Sequence, residues 1–268
     1  MAANSPMRLV QARRWGKQRE GYAPGGPADR FAAAVANRLA GNADDTPVFE
    51  IPLSRGSLCC DHDVCVAVSG APLQLQCDGV LLPNNRSCRV AAGSALTWQG
   101  AERGFRSYLA IQGGIEATDS PLQFMTCPVS TPVHRQRKRW ATLSQGLWRR
   151  QVLRILAGPE ASGPVLQYLT GQPWQLSRQS NAHGVRLLGE VAAPALEAID
   201  SAPVQDGTVQ LTPSGPIVLM RERQTVGGYP RIAQVLDCDI NLLAQYRPGQ
   251  RLYFNTVTME EAVALEQA

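Results

Sequence analysis

The chain has 268 residues, of which 44% are hydrophobic and 18% are charged, and its formal net charge is +4. This length can bury a substantial core as one large domain or two small ones, and the composition is ordinary for a soluble protein. No apolar stretch approaches the roughly 18 residues of a membrane span, and the first ten residues carry no apolar signal-peptide core. We therefore expect no membrane partner and a cytoplasmic protein.

Few side chains are suited to metal binding. The seven cysteines include no Cys-x-x-Cys pair, and the three histidines form no metal-ligand pair. We expect reduced, structural thiols and no metal site in this chain. A basic cluster at 134–140 is compatible with nucleic acid, with a solvated linker or with a patch facing an acidic partner protein. No RNA- or DNA-binding module accompanies it, so we expect no nucleic acid.

Helical signals are few and lie near the two ends of the chain. Asp29 is a candidate N-cap for a helix that runs to Leu39 and ends at Gly41. Asp239 is a candidate cap for a helix over 240–246, and Thr258-Met259-Glu260-Glu261 is a capping box that predicts a helix over 262–266.

Most of the remaining chain reads as short strands. The predicted strands share alternation or short apolar runs bounded by Gly and Pro, and they are 64–68, 73–77, 108–112, 151–156, 208–211, 217–220 and 251–257. The pattern favours barrels or sandwiches, so we expect a mainly β protein with a few short helices (α+β). Residues 116–148 have no sustained period, and we expect them to connect two β-rich halves. The expected domains are therefore 1–150 and 151–268.

The richest motif is Arg221-Glu222-Arg223-Gln224-Thr225-Val226-Gly227-Gly228-Tyr229-Pro230, which lies between two apolar runs. It predicts a strand, a constrained loop and a second strand. Glycine allows tight turns and close approach of a ligand to the main chain, and proline restricts its own φ and the residue before it. The motif is either a tight hairpin with incidental polar groups or a site where amide, hydroxyl and phenol groups meet.

Two other segments carry polar groups next to turns. Gln179-Ser180-Asn181 precedes the strand-like run 185–188. Its amide and hydroxyl side chains suit a small substrate with amide and carboxylate groups, and Arg186 could pair with that carboxylate. The alternative is a hydrogen-bonded turn. Gly25-Gly26-Pro27-Ala28-Asp29 is an anion-binding loop or, as the more ordinary interpretation, the start of a helix capped by Asp29.

Signatures of self-sufficient catalysis are missing from the sequence. There is no phosphate-binding Gly-x-x-x-x-Gly-Lys-Ser/Thr, no Gly-x-Gly-x-x-Gly, no Gly-x-Ser-x-Gly and no His-Glu-x-x-His. With Lys17 and Lys138 as the two lysines, no P-loop can form near the glycine pairs. A self-contained ATPase, dinucleotide enzyme or serine hydrolase is therefore not indicated.

Several segments resemble, in the same order along the chain, the family of the 5-oxoprolinase C subunit, also called allophanate hydrolase subunit 2. This family is grouped with the biotin-dependent carboxyltransferases. The 221–233 motif resembles its C-terminal signature. The other matching segments are 36–42, 106–115, 174–186 and 243–250. The resemblance implies two β-barrel-like halves, the second cyclophilin-like.

The chain also departs from the family pattern. After Val10-Gln11 it has Ala12 where the family has a carboxylate, and 116–148 contains neither the family's Gly-Ser-x-Ser-Thr segment nor its glycine-rich loop. Asn181 is followed by Ala182 in place of the usual arginine. The C-terminal half matches better than the N-terminal half, so the departures bear on catalysis more than on fold.

The resemblance implies a hydrolase subunit, inactive alone, of an ATP-dependent 5-oxoprolinase that opens 5-oxo-L-proline to L-glutamate. Its partners would be a kinase-inhibitor-like B subunit and the A subunit, and ATP would be bound by the complex. The alternatives are a non-catalytic protein that binds such a B subunit, or a carboxyltransferase component acting on a urea-like amide. Gln224 and Tyr229 are the expected catalytic residues. The expected substrate-binding residues are Gln179, Ser180, Asn181, Arg186, Thr225, Gly227 and Gly228.

Overall fold

A computed structural model describes residues 7–116, 123–124 and 150–267, without the side chains of 116, 123 and 124. The chain forms two compact units. The first comprises the described residues of Met1–Ala12 and Asp29–Trp148, and the second those of Arg13–Ala28 and Arg149–Ala268. Residues 13–28 thus belong to the second unit, although they precede most of the first unit in the chain. A domain boundary at 150/151 stays a prediction.

Within its described residues, the first unit is built from two antiparallel sheets and one helix. One sheet has the strand order β1-β2-β9-β4-β7 and the other β3-β8-β5-β6, with a separate β10–β11 pair. The strands are β1 (Arg8–Val10), β2 (Val48–Pro52), β3 (Gly56–Cys59), β4 (Val64–Gly70), β5 (Gln74–Cys77), β6 (Val80–Leu81), β7 (Ser87–Val90), β8 (Ala95–Gln99), β9 (Arg106–Ile111), β10 (Ile115–Glu116) and β11 (Gln123–Phe124), and the helix is α1 (Arg30–Ala40).

Alternation along β4 and β9 explains how this unit packs. Val66 and Val68 join side chains of both sheets in one apolar core, whereas Ala67 between them faces α1. Tyr108 on β9 likewise faces α1, and Leu109 beside it enters the core. Successive strand residues point to opposite faces, so these central strands are apolar on both.

The second unit contains a closed seven-stranded barrel in the order β12-β19-β16-β17-β14-β13-β20, and a β15–β18 pair. Its strands are β12 (Val152–Ala157), β13 (Trp174–Leu176), β14 (Gly184–Leu188), β15 (Ala202–Pro203), β16 (Thr208–Thr212), β17 (Gly215–Leu219), β18 (Val226–Gly227), β19 (Arg231–Val235) and β20 (Arg251–Thr256), and its helices are α2 (Gly163–Thr170), α3 (Asp237–Leu243) and α4 (Met259–Gln267). A short 3₁₀ turn, Gln18–Glu20, lies in the 13–28 segment. The mainly β fold class expected from the sequence is confirmed.

Two of the three predicted helix starts are confirmed. The Asp29 carboxylate accepts from the N–H of Ala32 at 2.9 Å. Thr258 Oγ1 accepts from the N–H of Glu261 at 3.2 Å, and the Glu261 carboxylate accepts from the N–H of Thr258 at 2.8 Å, which is the reciprocal pattern of a capping box.

The prediction that Asp239 caps a helix is wrong. Helix α3 begins two residues earlier, so Asp239 lies inside its first turn. The Asp239 carboxylate is buried and accepts from the main-chain N–H of Arg154 at 2.7 Å and from Arg154 Nε at 2.9 Å. A buried carboxylate requires such a charged partner, and this tertiary requirement overrides the local capping preference.

Among the described helices, none has the length and apolarity required to span a bilayer.

Candidate functional site

The loop between β17 and β19 is anchored by two hydrogen bonds to the side chain of Gln210 on β16. The Gln210 amide nitrogen donates to the main-chain carbonyl of Tyr229 at 3.1 Å, and its carbonyl oxygen accepts from the Gln224 amide at 3.3 Å. The Gln210 side chain is buried, whereas Gln224 and Tyr229 are exposed. Both ends of the loop are therefore fixed to one side chain of the barrel.

A second chain segment holds the loop from its side. Ala202 pairs with Gly227 and Pro203 with Val226 in the β15–β18 ladder. Two further main-chain bonds extend this contact, from the N–H of Val204 to the carbonyl of Thr225 at 3.1 Å and from the N–H of Ile199 to that of Gly228 at 3.0 Å. The strand–loop–strand prediction is confirmed, and the loop is braced well beyond what a simple hairpin provides.

The Gln-Ser-Asn segment forms a turn that enters β14, and two of its side chains are used within it. Ser180 Oγ accepts from the N–H of Arg186 at 3.0 Å. Asn181 Oδ1 accepts from the N–H of His183 at 2.9 Å and of Gly184 at 3.2 Å. Ser180 and Asn181 therefore shape the turn, whereas Gln179 and Arg186 are exposed.

The turn and the loop lie side by side. The N–H of Met220 donates to the carbonyl of His183 at 2.9 Å, and the N–H of Glu222 donates to that of Ala182 at 3.2 Å. The main chain just after Asn181 is thus bonded to the main chain just before Gln224. A single cleft shared by the two segments stays a prediction.

Several polar side chains of this region form no hydrogen bond within the described part of the chain. These are the amide of Gln179, the guanidinium of Arg186 and the hydroxyls of Thr225 and Tyr229. Tyr229 is 46% exposed. Such groups suit a ligand that both donates and accepts hydrogen bonds and carries a carboxylate.

A buried ionic cluster lies at the start of the loop. The Asp206 carboxylate contacts Arg221 at 2.8 Å, Arg223 at 2.9 Å and Arg13 at 2.8 Å, and Arg221 also reaches Asp237 at 2.6 Å. Arg221 and Arg223 are 1% and 2% exposed. Arg13 brings the 13–28 segment to this cluster, and the N–H of Gly25 donates to the carbonyl of Arg221 at 3.0 Å.

Burial and charge act in opposite directions on these guanidinium groups. Burial disfavours the charged form and lowers the pKa of Arg223, although the Asp206 carboxylate opposes this. Burial also acts to lower the pKa of Arg221, but Asp237 and Asp206 together raise it above its usual value. Arginine keeps its charge in proteins, so both side chains are cations that need the carboxylates beside them.

Sequence reasoning assigned no site role to Gln210, His183, Asp206 or Arg13. Gln210 is an amide side chain between the apolar Val209 and Leu211 of a predicted strand, which is a detectable signal. The contact between Arg13 and Asp206 has no such signal, because almost the whole first unit lies between them in the sequence.

The remaining predictions concern segments outside this region. The amide of Gly25 is occupied by Arg221, and Asp29 caps α1, so the ordinary interpretation of the Gly25–Asp29 segment is supported. The basic cluster 134–140 lies outside the described residues. The expected absence of a metal site stays a prediction.

Comparison with known proteins identifies the family. Residues 20–122 and 122–256 match the family described as carboxyltransferase domain, subdomain A and B. The C subunit of 5-oxoprolinase from Escherichia coli strain K12 is 32% identical over 280 residues, which cover 95% of this chain and 89% of that protein. The urea amidolyase of Saccharomyces cerevisiae is 23% identical over 300 residues, covering 95% of this chain but only 16% of the yeast protein.

A solved structure supports the same assignment. The crystal structure of TTHA0988 superposes with a TM-score of 0.82 at 29% identity, covering 93% of this chain and 53% of that one. The present chain thus corresponds to about half of TTHA0988. From these matches, and from the loop signature held by the barrel, the chain belongs to the carboxyltransferase-domain family that includes the C subunit of 5-oxoprolinase.

Proposed function

We propose that this chain is a subunit of an ATP-dependent 5-oxoprolinase and that, together with partner subunits, it opens 5-oxo-L-proline to L-glutamate. The observation that carries the proposal is the similarity to the C subunit of 5-oxoprolinase over nearly the full length of both proteins. The partners are a kinase-inhibitor-like B subunit and the A subunit. ATP is bound by the assembled complex, because this chain has no phosphate-binding lysine loop.

The braced loop and the adjacent turn form the substrate site in this proposal. Arg186 pairs with the carboxylate of 5-oxoproline, and Gln179 and Thr225 bond its lactam group. Tyr229 and Gln224 contact the reacting amide, Tyr229 through its exposed hydroxyl and Gln224 from its position on Gln210. Gly227 and Gly228 let the loop pack closely against its neighbours.

The test is reconstitution. The chain is co-expressed with homologues of the A and B subunits from the same organism, and ADP and glutamate are measured with 5-oxoproline as substrate. We expect a stable complex and coupled formation of both products. Tyr229→Phe and Gln224→Ala are expected to lower kcat at least tenfold, the loss typical of a removed catalytic hydrogen-bonding group.

Tyr253→Phe is the matched control, because Tyr253 is 40% exposed and lies on β20 of the same barrel. It is expected to leave the rate unchanged. A complex that forms but releases no glutamate rules out the 5-oxoprolinase assignment. A complex with full activity in the Tyr229 and Gln224 variants rules out the site.

A second candidate is a carboxyltransferase component that acts on a urea-like amide. The family description and the similarity to urea amidolyase favour it. The same complex assayed with urea in place of 5-oxoproline separates the two candidates. A complex that forms without turnover of either substrate favours a regulatory protein that binds the kinase-inhibitor-like partner.

A further inference from the structure

His183 lies between the Gln-Ser-Asn turn and β14, and its imidazole is fixed in a way that an incidental surface histidine is not. We propose that His183 is the proton-transfer residue of this site, taking a proton from the attacking water through Nε2. The inference rests on the proposed function and adds a residue that neither the sequence motifs nor the comparisons assign.

The hydrogen bond at Nδ1 sets the tautomer. His183 Nδ1 lies 2.5 Å from the main-chain carbonyl oxygen of Glu222. A carbonyl oxygen only accepts, so Nδ1 must carry the hydrogen. In the neutral ring the lone pair is then on Nε2. Because the residue is exposed and Nε2 has no partner within the described residues, this basic nitrogen is accessible to a ligand or water.

The main chain at His183 is held on both sides. Its N–H is bonded to Asn181 Oδ1 at 2.9 Å, and its carbonyl accepts from the N–H of Met220 at 2.9 Å. The ring is fixed to Glu222, two residues before Gln224, which is a predicted catalytic residue. Proton transfer requires a base held within hydrogen-bond reach of the reacting atom, and such anchoring provides that precision.

The charged side chains near His183 serve other groups. The hydrogen bond to the Glu222 carbonyl therefore sets the tautomer of the ring. The Glu222 carboxylate, on the loop that packs against the ring, lies 3.9 Å from the guanidinium of Arg14 in the 13–28 segment. Arg221 and Arg223 are directed to the buried Asp206 carboxylate. Arg186, on β14, is exposed and serves the substrate carboxylate in the proposed site.

The proton transfers balance with water and ATP as the co-reactants. The complex first transfers the terminal phosphoryl group of ATP to the lactam oxygen, which breaks the bond to ADP. A water O–H bond then breaks as its oxygen bonds to the activated lactam carbon, and Nε2 takes the proton. The lactam C–N bond breaks, the proton passes from Nε2 to the leaving nitrogen, and a second water hydrolyses the resulting acyl phosphate to glutamate and phosphate, so His183 ends the cycle as it began.

The decisive variant is His183→Asn, measured in the reconstituted complex. The asparagine amide keeps a donor near the position of Nδ1 and so keeps the bond to Glu222, but it has no basic nitrogen. We expect kcat to fall about 100-fold or more, with KM and the unfolding midpoint unchanged. In His183→Ala, added imidazole should restore part of the lost rate, which a structural role would not allow.

His62→Asn is the control, because His62 is a histidine of the first unit that lies beside Asp61. It should leave kcat unchanged. The tautomer is read independently of activity by ¹⁵N NMR of the isolated chain, with Nδ1 protonated and Nε2 bare as the expected result.

Two results overturn the inference alone: a neutral ring protonated at Nε2, or an active wild-type complex in which His183→Asn keeps kcat within about threefold, well short of the loss expected for a removed base. A wild-type complex that opens no 5-oxoproline overturns the proposed function, and the assigned step of His183 with it.

Discussion

Residue 227 has room only for glycine. A Cβ added there would lie 2.6 Å from the amide nitrogen of Gln210. That nitrogen is the end of a flexible side chain, but the side chain is buried and is used in two hydrogen bonds to the loop. Any side chain at 227 must therefore displace the residue that holds Gln224 and Tyr229 in place.

We expect Gly227→Ala to lower the unfolding free energy by about 1–3 kcal/mol through overpacking and to reduce the activity of the complex more than tenfold. Gly163→Ala is the control, because a Cβ added at the start of α2 would meet nothing within 4 Å. Urea unfolding and steady-state rates are the measurements. Equal losses in the two variants would contradict the special role of Gln210.

Asp206 is the carboxylate on which three arginines depend. Its side chain is 7% exposed, and the side chains of Arg13, Arg221 and Arg223 around it are 11% exposed or less. Removing one partner of a buried ion pair leaves charge without compensation, which is more destabilising than losing an exposed pair.

We expect Asp206→Asn to lower the unfolding free energy by about 3 kcal/mol, measured by urea unfolding. Asp44→Asn breaks the exposed pair with Arg38 and should change it by less than about 1 kcal/mol. If both variants unfold at the wild-type urea concentration, the cluster does not hold the second unit together.

At the scale of elements, one carboxylate joins the turn after β12 to the start of β19. Glu160 accepts from the N–H of Arg231 at 2.8 Å, from its Nε at 3.0 Å and from its terminal nitrogen at 2.6 Å. The hydrogen bonds from the Arg231 side chain, helped by its main-chain N–H, hold the pKa of Glu160 below its usual range, against a smaller opposing effect of burial.

This pKa shift predicts a pH dependence. Because the folded-state pKa is lowered, the unfolded chain binds the proton more readily. The stabilisation is therefore complete above the ordinary glutamate value of 4.5 and is lost as the pH falls through the lower folded value. We expect Glu160→Gln to lower the unfolding free energy by about 1–2 kcal/mol at pH 7, and the difference from wild type to shrink below pH 4.5.

Urea unfolding of both proteins between pH 7 and acid pH measures this difference. Glu197→Gln, at an exposed glutamate, is the control and should show no comparable effect. A difference that grows as the pH is lowered would contradict the assigned sign.

At the scale of the whole molecule, catalysis is expected to require other chains. The 268-residue sequence has two lysines and no P-loop, and the polar groups of the proposed site are suited to a small amide. We therefore expect the purified chain to release no phosphate from ATP, with or without 5-oxoproline.

The measurement is phosphate release by the isolated chain, with the reconstituted complex as positive control. Substrate-dependent turnover of about 1 per second or more, a typical enzyme rate, would contradict the prediction and locate ATP binding in this chain.

The sequence alone determined the features that arise within a few residues. The cap at Asp29, the capping box at Thr258 and the turn of the Gly227-Gly228 loop each join near neighbours, so their signals are present in any short window. Short alternating or apolar runs bounded by Gly and Pro likewise predicted strands at the positions of β4 and β9, and the number of such runs indicated the mainly β fold class.

The tertiary structure decided which distant residues meet. β4 and β5 are separated only by Ala71-Pro72-Leu73, yet they belong to different sheets. β12 closes the barrel by pairing with β20 from the far end of the unit. Arg13 reaches Asp206, Gln210 holds Tyr229, and Glu222 fixes the ring of His183. These contacts depend on barrel closure and on the desolvation of buried charge, and neither is encoded in a local pattern.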